Sequence, residues 1–195
     1  MRALVIYCHP VEGSLCSALR DAAVSGLRAA GHDVSVVDLA ADDFDPVMPL
    51  DEWRLYMDRQ IVNTPEIVRY IEMVQESEIL VFVYPTWWSG LPAQLKGWLE
   101  RVLVAGVAFR FTKSDRVRPG MTQLRRIHVI STYGSPKLYV RLVNDNGRRI
   151  LTRALRMCGT KRTRTSHQGL YALDTSTVES RQQFLREVEK KMLSL

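Results

Sequence analysis

Ile79-Leu80-Val81-Phe82-Val83-Tyr84, then Pro85-Thr86-Trp87-Trp88-Ser89-Gly90-Leu91, then Pro92-Ala93-Gln94-Leu95-Lys96-Gly97-Trp98-Leu99-Glu100-Arg101-Val102-Leu103: this stretch decides the fold. Its first part is a short apolar run without helical period, which reads as a strand buried on both faces. After the loop, Pro92 opens a helix. Leu95, Trp98, Leu99, Val102 and Leu103 recur at i, i+3, i+4, i+7 and i+8, a single apolar face. A buried strand feeding an amphipathic helix through a short loop is half of a parallel crossover unit.

The same unit repeats outward. Residues 2–7 form an apolar run that reads as a strand. Ser14 is placed to cap the next helix, Leu15, Leu19, Ala22, Ala23, Val24 and Leu27 give it an apolar face, and Gly31 suits the position just past its end. Residues 32–39 alternate and read as a second strand. Residues 40–63 are acidic and irregular, with a short helix expected at about 51–59, and residues 65–75 are helical. Downstream, 104–124 reads as irregular, 127–132 as the fourth strand, 147–158 as a helix, 163–172 as a weaker fifth strand and 176–193 as a polar outer helix. Strands and helices alternate from end to end without a compositional break. The expected fold is therefore α/β: residues 1–195 as one domain, a three-layer α-β-α sandwich on a five-stranded parallel sheet with right-handed crossovers and the order 2-1-3-4-5.

Composition excludes several classes. At 46% hydrophobic and 25% charged residues, a chain of 195 can bury a core without disulfides or metal, which argues against disorder and repeat arrays. No apolar run approaches the roughly 18 residues of a spanning helix. The run 2–7 meets Cys8-His9-Pro10 too early for a signal peptide, and the three cysteines, Cys8, Cys16 and Cys158, form no CxxC pair. The expected setting is a reducing cytoplasm. The four histidines stand at no metal-ligand spacing, so no metal site is expected. Cys8 and His9 are strand neighbours pointing to opposite faces, a poor nucleophile pair.

In an open parallel sheet, ligands sit beyond the carboxyl ends of the strands, where strand order reverses. Three loops meet there. The first, Cys8-His9-Pro10-Val11-Glu12-Gly13-Ser14-Leu15-Cys16, has neither GxGxxG nor a P-loop, and it runs into a capped helix start whose free N–H groups suit a phosphate. By itself, a plain N-cap role for Ser14 explains it. The second, Pro85 to Pro92, carries two adjacent tryptophans; one indole at the strand end can flank a flat ligand, while the other is expected to pack under the next helix. The third, Ser131-Thr132-Tyr133-Gly134-Ser135-Pro136, offers hydroxyls and N–H groups from the other side, or is an ordinary Gly-Ser-Pro turn.

The segment from Pro85 to Val102 resembles the P-x-x-W-x-x-x-P-A-x-L-K-x-W-x-[DE]-R-V signature of the flavodoxin-like NAD(P)H:quinone oxidoreductase family. That family includes DT-diaphorase, the modulator of drug activity and the potassium-efflux ancillary proteins. His9-Pro10 with Ser14 upstream and Ser131 to Gly134 downstream stand in the family's order. The resemblance covers about residues 2–160. It implies a flavodoxin-like fold, bound FAD or FMN, NADH or NADPH as co-substrate, a quinone-like acceptor and a homodimer. By position it implies that His9, Ser14, Leu15 and Cys16 hold the flavin phosphate region. Pro85, Thr86, Trp87, Trp88 and Ser89 would line the ring, and Ser131, Thr132, Tyr133 and Gly134 its pyrimidine side. It implies Tyr139 as the catalytic tyrosine, and Phe109 and Phe111 near the partner's site. DT-diaphorase has a second glycine at Tyr133, tyrosines at Phe109 and Phe111, and a catalytic histidine that falls near Asp145. The resemblance implies a ping-pong oxidoreductase; a flavodoxin-type electron carrier and a regulatory flavoprotein partner of a membrane transport system are the other readings.

Charge is uneven. The chain carries 27 basic and 21 acidic residues, and 141–164 hold eight of the basic ones: Arg141, Arg148, Arg149, Arg153, Arg156, Lys161, Arg162 and Arg164. Without aromatics among them, they suit a phosphate-bearing small molecule better than nucleic acid and are expected close to the flavin, or they are simply solvated on an outer helix.

Overall fold

The computed structural model describes residues 1–61 and 64–195. The end of the irregular segment expected at 40–63 lies outside the described residues. Five parallel strands form the main sheet: β1 (Arg2–Tyr7), β2 (Asp33–Asp38), β3 (Ile79–Pro85), β6 (Arg126–Thr132) and β7 (Arg164–Leu170), in the order β2-β1-β3-β6-β7. With the last two counted as fourth and fifth, this is the expected order. Between β3 and β6 lies a two-stranded antiparallel ribbon, β4 (Phe109–Phe111) with β5 (Val117–Pro119). The sequence reads there as irregular, because three-residue strands are too short to show a period.

The helices are α1 (Leu15–Ala29), α2 (Leu50–Met57), α3 (Pro65–Glu76), α4 (Ala93–Val102), α5 (Lys137–Leu142), α6 (Asn146–Arg149) and α7 (Val178–Leu193). The expected helix at 147–158 is not uniform: α6 widens into a π turn at Ile150–Ala154 and tightens into a 3-10 turn at Leu155–Cys158. Within it the Thr152 hydroxyl donates to Arg148 O at 2.8 Å, a back-bond that competes with regular winding.

Both faces of the sheet are covered, which is why β1 and β3 read as unbroken apolar runs. Leu4, Ile6, Leu80 and Phe82 face one core with Leu95 and Trp98 of α4 and Ile71 and Val74 of α3. Ala3, Val5, Val81 and Val83 face the other with Leu19 and Leu27 of α1 and Val188 and Met192 of α7. The α1–α7 contact is so close that a Cβ on Gly26 would stand 2.4 Å from Glu189 O. β7 is polar because it closes the sheet on one edge: Ser166 and Gln168 hold the buried His128 ring at 2.7 and 3.0 Å. Burial pushes that imidazole down to about 4, so His128 is a neutral structural residue. Among the described residues, no helix is long and apolar enough to cross a membrane.

Candidate functional site

β1, β3 and β6 end side by side, Tyr7 beside Val83 and Pro85 beside Thr132, so the three loops converge at the carboxyl ends of the central strands. Two cavities lie there. The first, about 410 Å³, is lined by His9, Ser14, Leu15, Cys16, Pro85, Trp87 and Thr132. The second, about 290 Å³, is lined by Thr86, Trp88, Ser89, Tyr133, Gly134 and Tyr139. Pro85 and Trp87 line the first, while Thr86, Trp88 and Ser89 line the second. Ser131 lines neither; it is buried, with its hydroxyl 2.9 Å from that of Tyr133.

The first loop runs into α1. Ser14 Oγ accepts from Ser17 N at 3.2 Å, the expected cap, and His9 Nδ1 accepts from Val11 N at 3.1 Å. Cys16 Sγ lies 3.6 Å from Thr132 Oγ1, tying the first loop to the end of β6. Burial pushes the Cys16 thiol up to about 11 and the Cys8 thiol up to about 12. Both stay protonated at neutral pH, and neither is set up as a nucleophile.

The second loop is a tight hairpin. Trp87 and Gly90 exchange hydrogen bonds at 3.3 and 2.9 Å, with Trp88 at φ 49° and Ser89 at φ 56° between them. Residues with a Cβ reach this left-handed region at roughly 1–2 kcal/mol each, so the turn stores strain. The consequence corrects the expectation that one tryptophan packs under the next helix. Both are exposed, Trp88 completely, and Leu91, Leu95 and Trp98 occupy the core beside α4. The α6 start presses on this hairpin: a Cβ on Gly147 would stand 3.0 Å from Gly90 C.

Several residues that the sequence did not single out as site residues also reach the cavities. Leu173, Asp174 and Arg181 complete the first cavity. Arg181 Nε donates to Ser176 Oγ at 2.7 Å and Nη2 to Leu173 O at 3.2 Å, which anchors the turn bearing Asp174. Asp145 completes the second cavity, buried, at φ 44° and ψ 60°. It accepts from the Tyr133 hydroxyl at 3.1 and 3.2 Å, and Arg148 Nε lies 2.7 Å from its Oδ2. His167 Nε2 stands 2.9 Å from Ser131 Oγ and 3.2 Å from the Tyr133 hydroxyl. In sequence, Asp145 is marked only as the place near which the catalytic histidine of DT-diaphorase falls, and His167 sits unmarked in a polar strand.

The basic cluster does not gather at this site. Arg148 does, but Arg164 pairs with Arg126 at the start of β6 and β7. Lys161, Arg162 and Arg164 line a groove with Arg125 and Arg126. Six strand residues at about 3.3 Å each put that groove about 20 Å from the cavities. For Arg156, Lys161, Arg162 and Arg164 the expectation of a place close to the ligand is overturned by this strand direction.

The family model described as flavodoxin-like fold matches residues 1–194. NAD(P)H dehydrogenase (quinone) 1 of Cavia porcellus is 32% identical over 155 residues, 71% of this chain and 55% of that protein. The chain thus spans about half the length of the curated relatives it matches. Among solved structures, Smu.1420 from Streptococcus mutans UA159 superposes with a TM-score of 0.87 at 27% identity, covering 100% of both chains. The NAD(P)H:quinone oxidoreductase from Methanothermobacter marburgensis superposes with a TM-score of 0.81 at 21% identity, covering 100% of this chain and 95% of that one.

Proposed function

The chain belongs to the flavodoxin-like fold family, and from that premise we propose that it is a flavin-dependent NAD(P)H oxidoreductase reducing a quinone-like acceptor. The observation that carries this reading is the pair of cavities divided by Pro85 to Ser89. One has the capped start of α1 and Arg181 for a phosphate; the other has polar groups for a ring edge. Thr86 Oγ1 in the second cavity is buried and has no hydrogen-bond partner among the described residues, an acceptor or donor left for a ligand. The residues present therefore fit FAD or FMN. The 32% identity to a quinone dehydrogenase supports the reaction class.

In this reading residues 1–195 act as one flavin-binding unit. His9, Ser14, Leu15 and Cys16 hold the phosphate end. Pro85, Thr86, Trp87, Trp88 and Ser89 flank the ring, and Thr132, Tyr133 and Gly134 hold its pyrimidine side, while the buried Ser131, expected there from the sequence, supports the Tyr133 hydroxyl from behind instead. A bound flavin supplies two-electron chemistry that no side chain here can supply. The open mouth beside Trp88 and Tyr139 takes a nicotinamide and an acceptor in turn, so turnover is ping-pong. Tyr139 is half-exposed there and orients each substrate. The purified protein is expected to be yellow, with one flavin per chain identified by mass, and to bleach anaerobically with NADH or NADPH. A protein that binds neither flavin at micromolar concentration overturns the proposal.

The acting form is a homodimer. Phe109 packs on the core and Phe111 lies under the Arg59 guanidinium at 4.1 Å, so both are partly covered by their own chain. Trp88 and Tyr139 at the mouth of the second cavity, with Leu138 and Leu142 on the same helix as Tyr139, are exposed, and a second copy would cover them. Light scattering should give twice the chain mass at micromolar concentration; a fully active monomer contradicts this.

A further inference from the structure

The second cavity has a polar floor that cofactor binding alone does not require. Ser131, Tyr133 and Asp145 are all buried and form one hydrogen-bonded chain with His167 on the edge strand β7. Its inner end opens on the cavity, because Tyr133 and Asp145 both line it. Its outer end is the half-buried His167. An asparagine at 145 would hold the Tyr133 hydroxyl equally well and would tolerate the left-handed backbone better. A carboxylate there adds one capacity that an amide lacks: it can take up and release a proton.

We propose that Asp145, Tyr133, Ser131 and His167 form a proton relay from the protein surface to an acceptor bound in the second cavity. The proposal rests on the oxidoreductase reading above. The overall balance is NAD(P)H + H⁺ + quinone giving NAD(P)⁺ + hydroquinone. One hydrogen leaves the nicotinamide with its electron pair; the other is the proton that the relay delivers. Asp145 takes the Tyr133 proton and passes it to the acceptor oxygen as the carbonyl becomes a hydroxyl. Tyr133 recovers its proton from Ser131, Ser131 from His167 Nε2, and His167 from water.

The resting state suits concerted transfer. Burial pushes the Tyr133 phenol well above its usual range, and burial with the nearby Arg148 pushes His167 down to about 3. Tyr133 and His167 therefore rest neutral, and Arg148 Nε lies 2.7 Å from Asp145 Oδ2. The groups facing the relay are Arg148 from α6, Lys137 from α5, His128 from β6, Tyr84 from β3 and Tyr171, stacked on Tyr133 at 4.5 Å. Arg148 and Lys137 both oppose a lasting positive charge on His167.

The test compares two acceptors on the flavin-loaded protein. Benzoquinone needs the proton; ferricyanide takes electrons only. In Asp145→Asn and Tyr133→Phe the benzoquinone-to-ferricyanide rate ratio is expected to fall tenfold or more, with the deficit deepening from pH 6 to pH 9 as free protons become scarce. His167→Gln, near the surface, carries the same test should a buried variant fail to fold. In the flavin-free protein, Asp145→Asn should also move the NMR titration of the His167 imidazole, a link independent of turnover. An unchanged ratio in variants that melt like the parent overturns the relay alone. A parent protein that oxidises neither coenzyme with either acceptor overturns the oxidoreductase reading, and the relay with it.

Discussion

Replacing Arg101 by methionine is expected to lower the free energy of unfolding by about 3–5 kcal/mol. Arg101 lies on α4 with its guanidinium buried. It meets Glu52 of α2 in a two-pronged contact, Nε to Oε2 at 2.8 Å and Nη2 to Oε1 at 2.7 Å. Its Nη1 also donates to Asp45 O, and its guanidinium carbon lies 5.2 Å from the centre of the Phe44 ring. Methionine fills much of the same volume but leaves the Glu52 carboxylate in the interior with only the Thr64 hydroxyl, at 3.0 Å. An uncompensated buried charge is the dominant cost. Urea unfolding at unchanged slope should show the loss as a lower midpoint. Adding Glu52→Leu to Arg101→Met should recover most of it, because the stranded charge is then gone. A single-variant loss below about 1 kcal/mol would mean that Glu52 finds water, and the pair would then rank with exposed ion pairs.

Arg181→Gln is expected to weaken flavin binding tenfold or more. Arg181 lines the first cavity with Ser14, and Nε and Nη2 are spent on Ser176 and Leu173. Among the described residues, Nη1 has no hydrogen-bond partner and is left for a phosphate oxygen. One charge-assisted bond contributes roughly 1.5–3 kcal/mol, and about 1.4 kcal/mol is tenfold in affinity. Asp174 lines the same cavity, so removing the arginine also leaves a carboxylate facing the phosphate. Both effects weaken binding, and salt should narrow the difference between parent and variant. Arg181→Lys keeps the charge without the fork and should fall between them. Fluorescence titration of the flavin-stripped protein measures all three. Equal dissociation constants would remove Arg181 from the binding site.

Local periodicity carried most of the fold. The apolar runs of β1 and β3, the one-sided helix after Pro92 and the Ser14 cap each depend on neighbours a few residues apart, so the sequence displays them directly. The parallel topology follows, because strand-helix alternation admits few other arrangements. The loops at the carboxyl ends of the strands were legible for the same reason, and residues from all three line the cavities. The outward turn of both tryptophans was not. It depends on two left-handed residues and on α6 pressing the hairpin, contacts across more than fifty positions of chain. Nor could spacing show that Asp145 and His167 meet at Tyr133, or that Arg181 lines one cavity with Ser14. Those meetings are made by the pairing of β7 with β6 and by the packing of α7 against α1. The basic residues between 156 and 164 make the same point: adjacent in sequence to Arg148, they lie at the far end of a strand. Helical and strand periods are properties of short segments, whereas a site collects single residues from segments that only the packed sheet brings together.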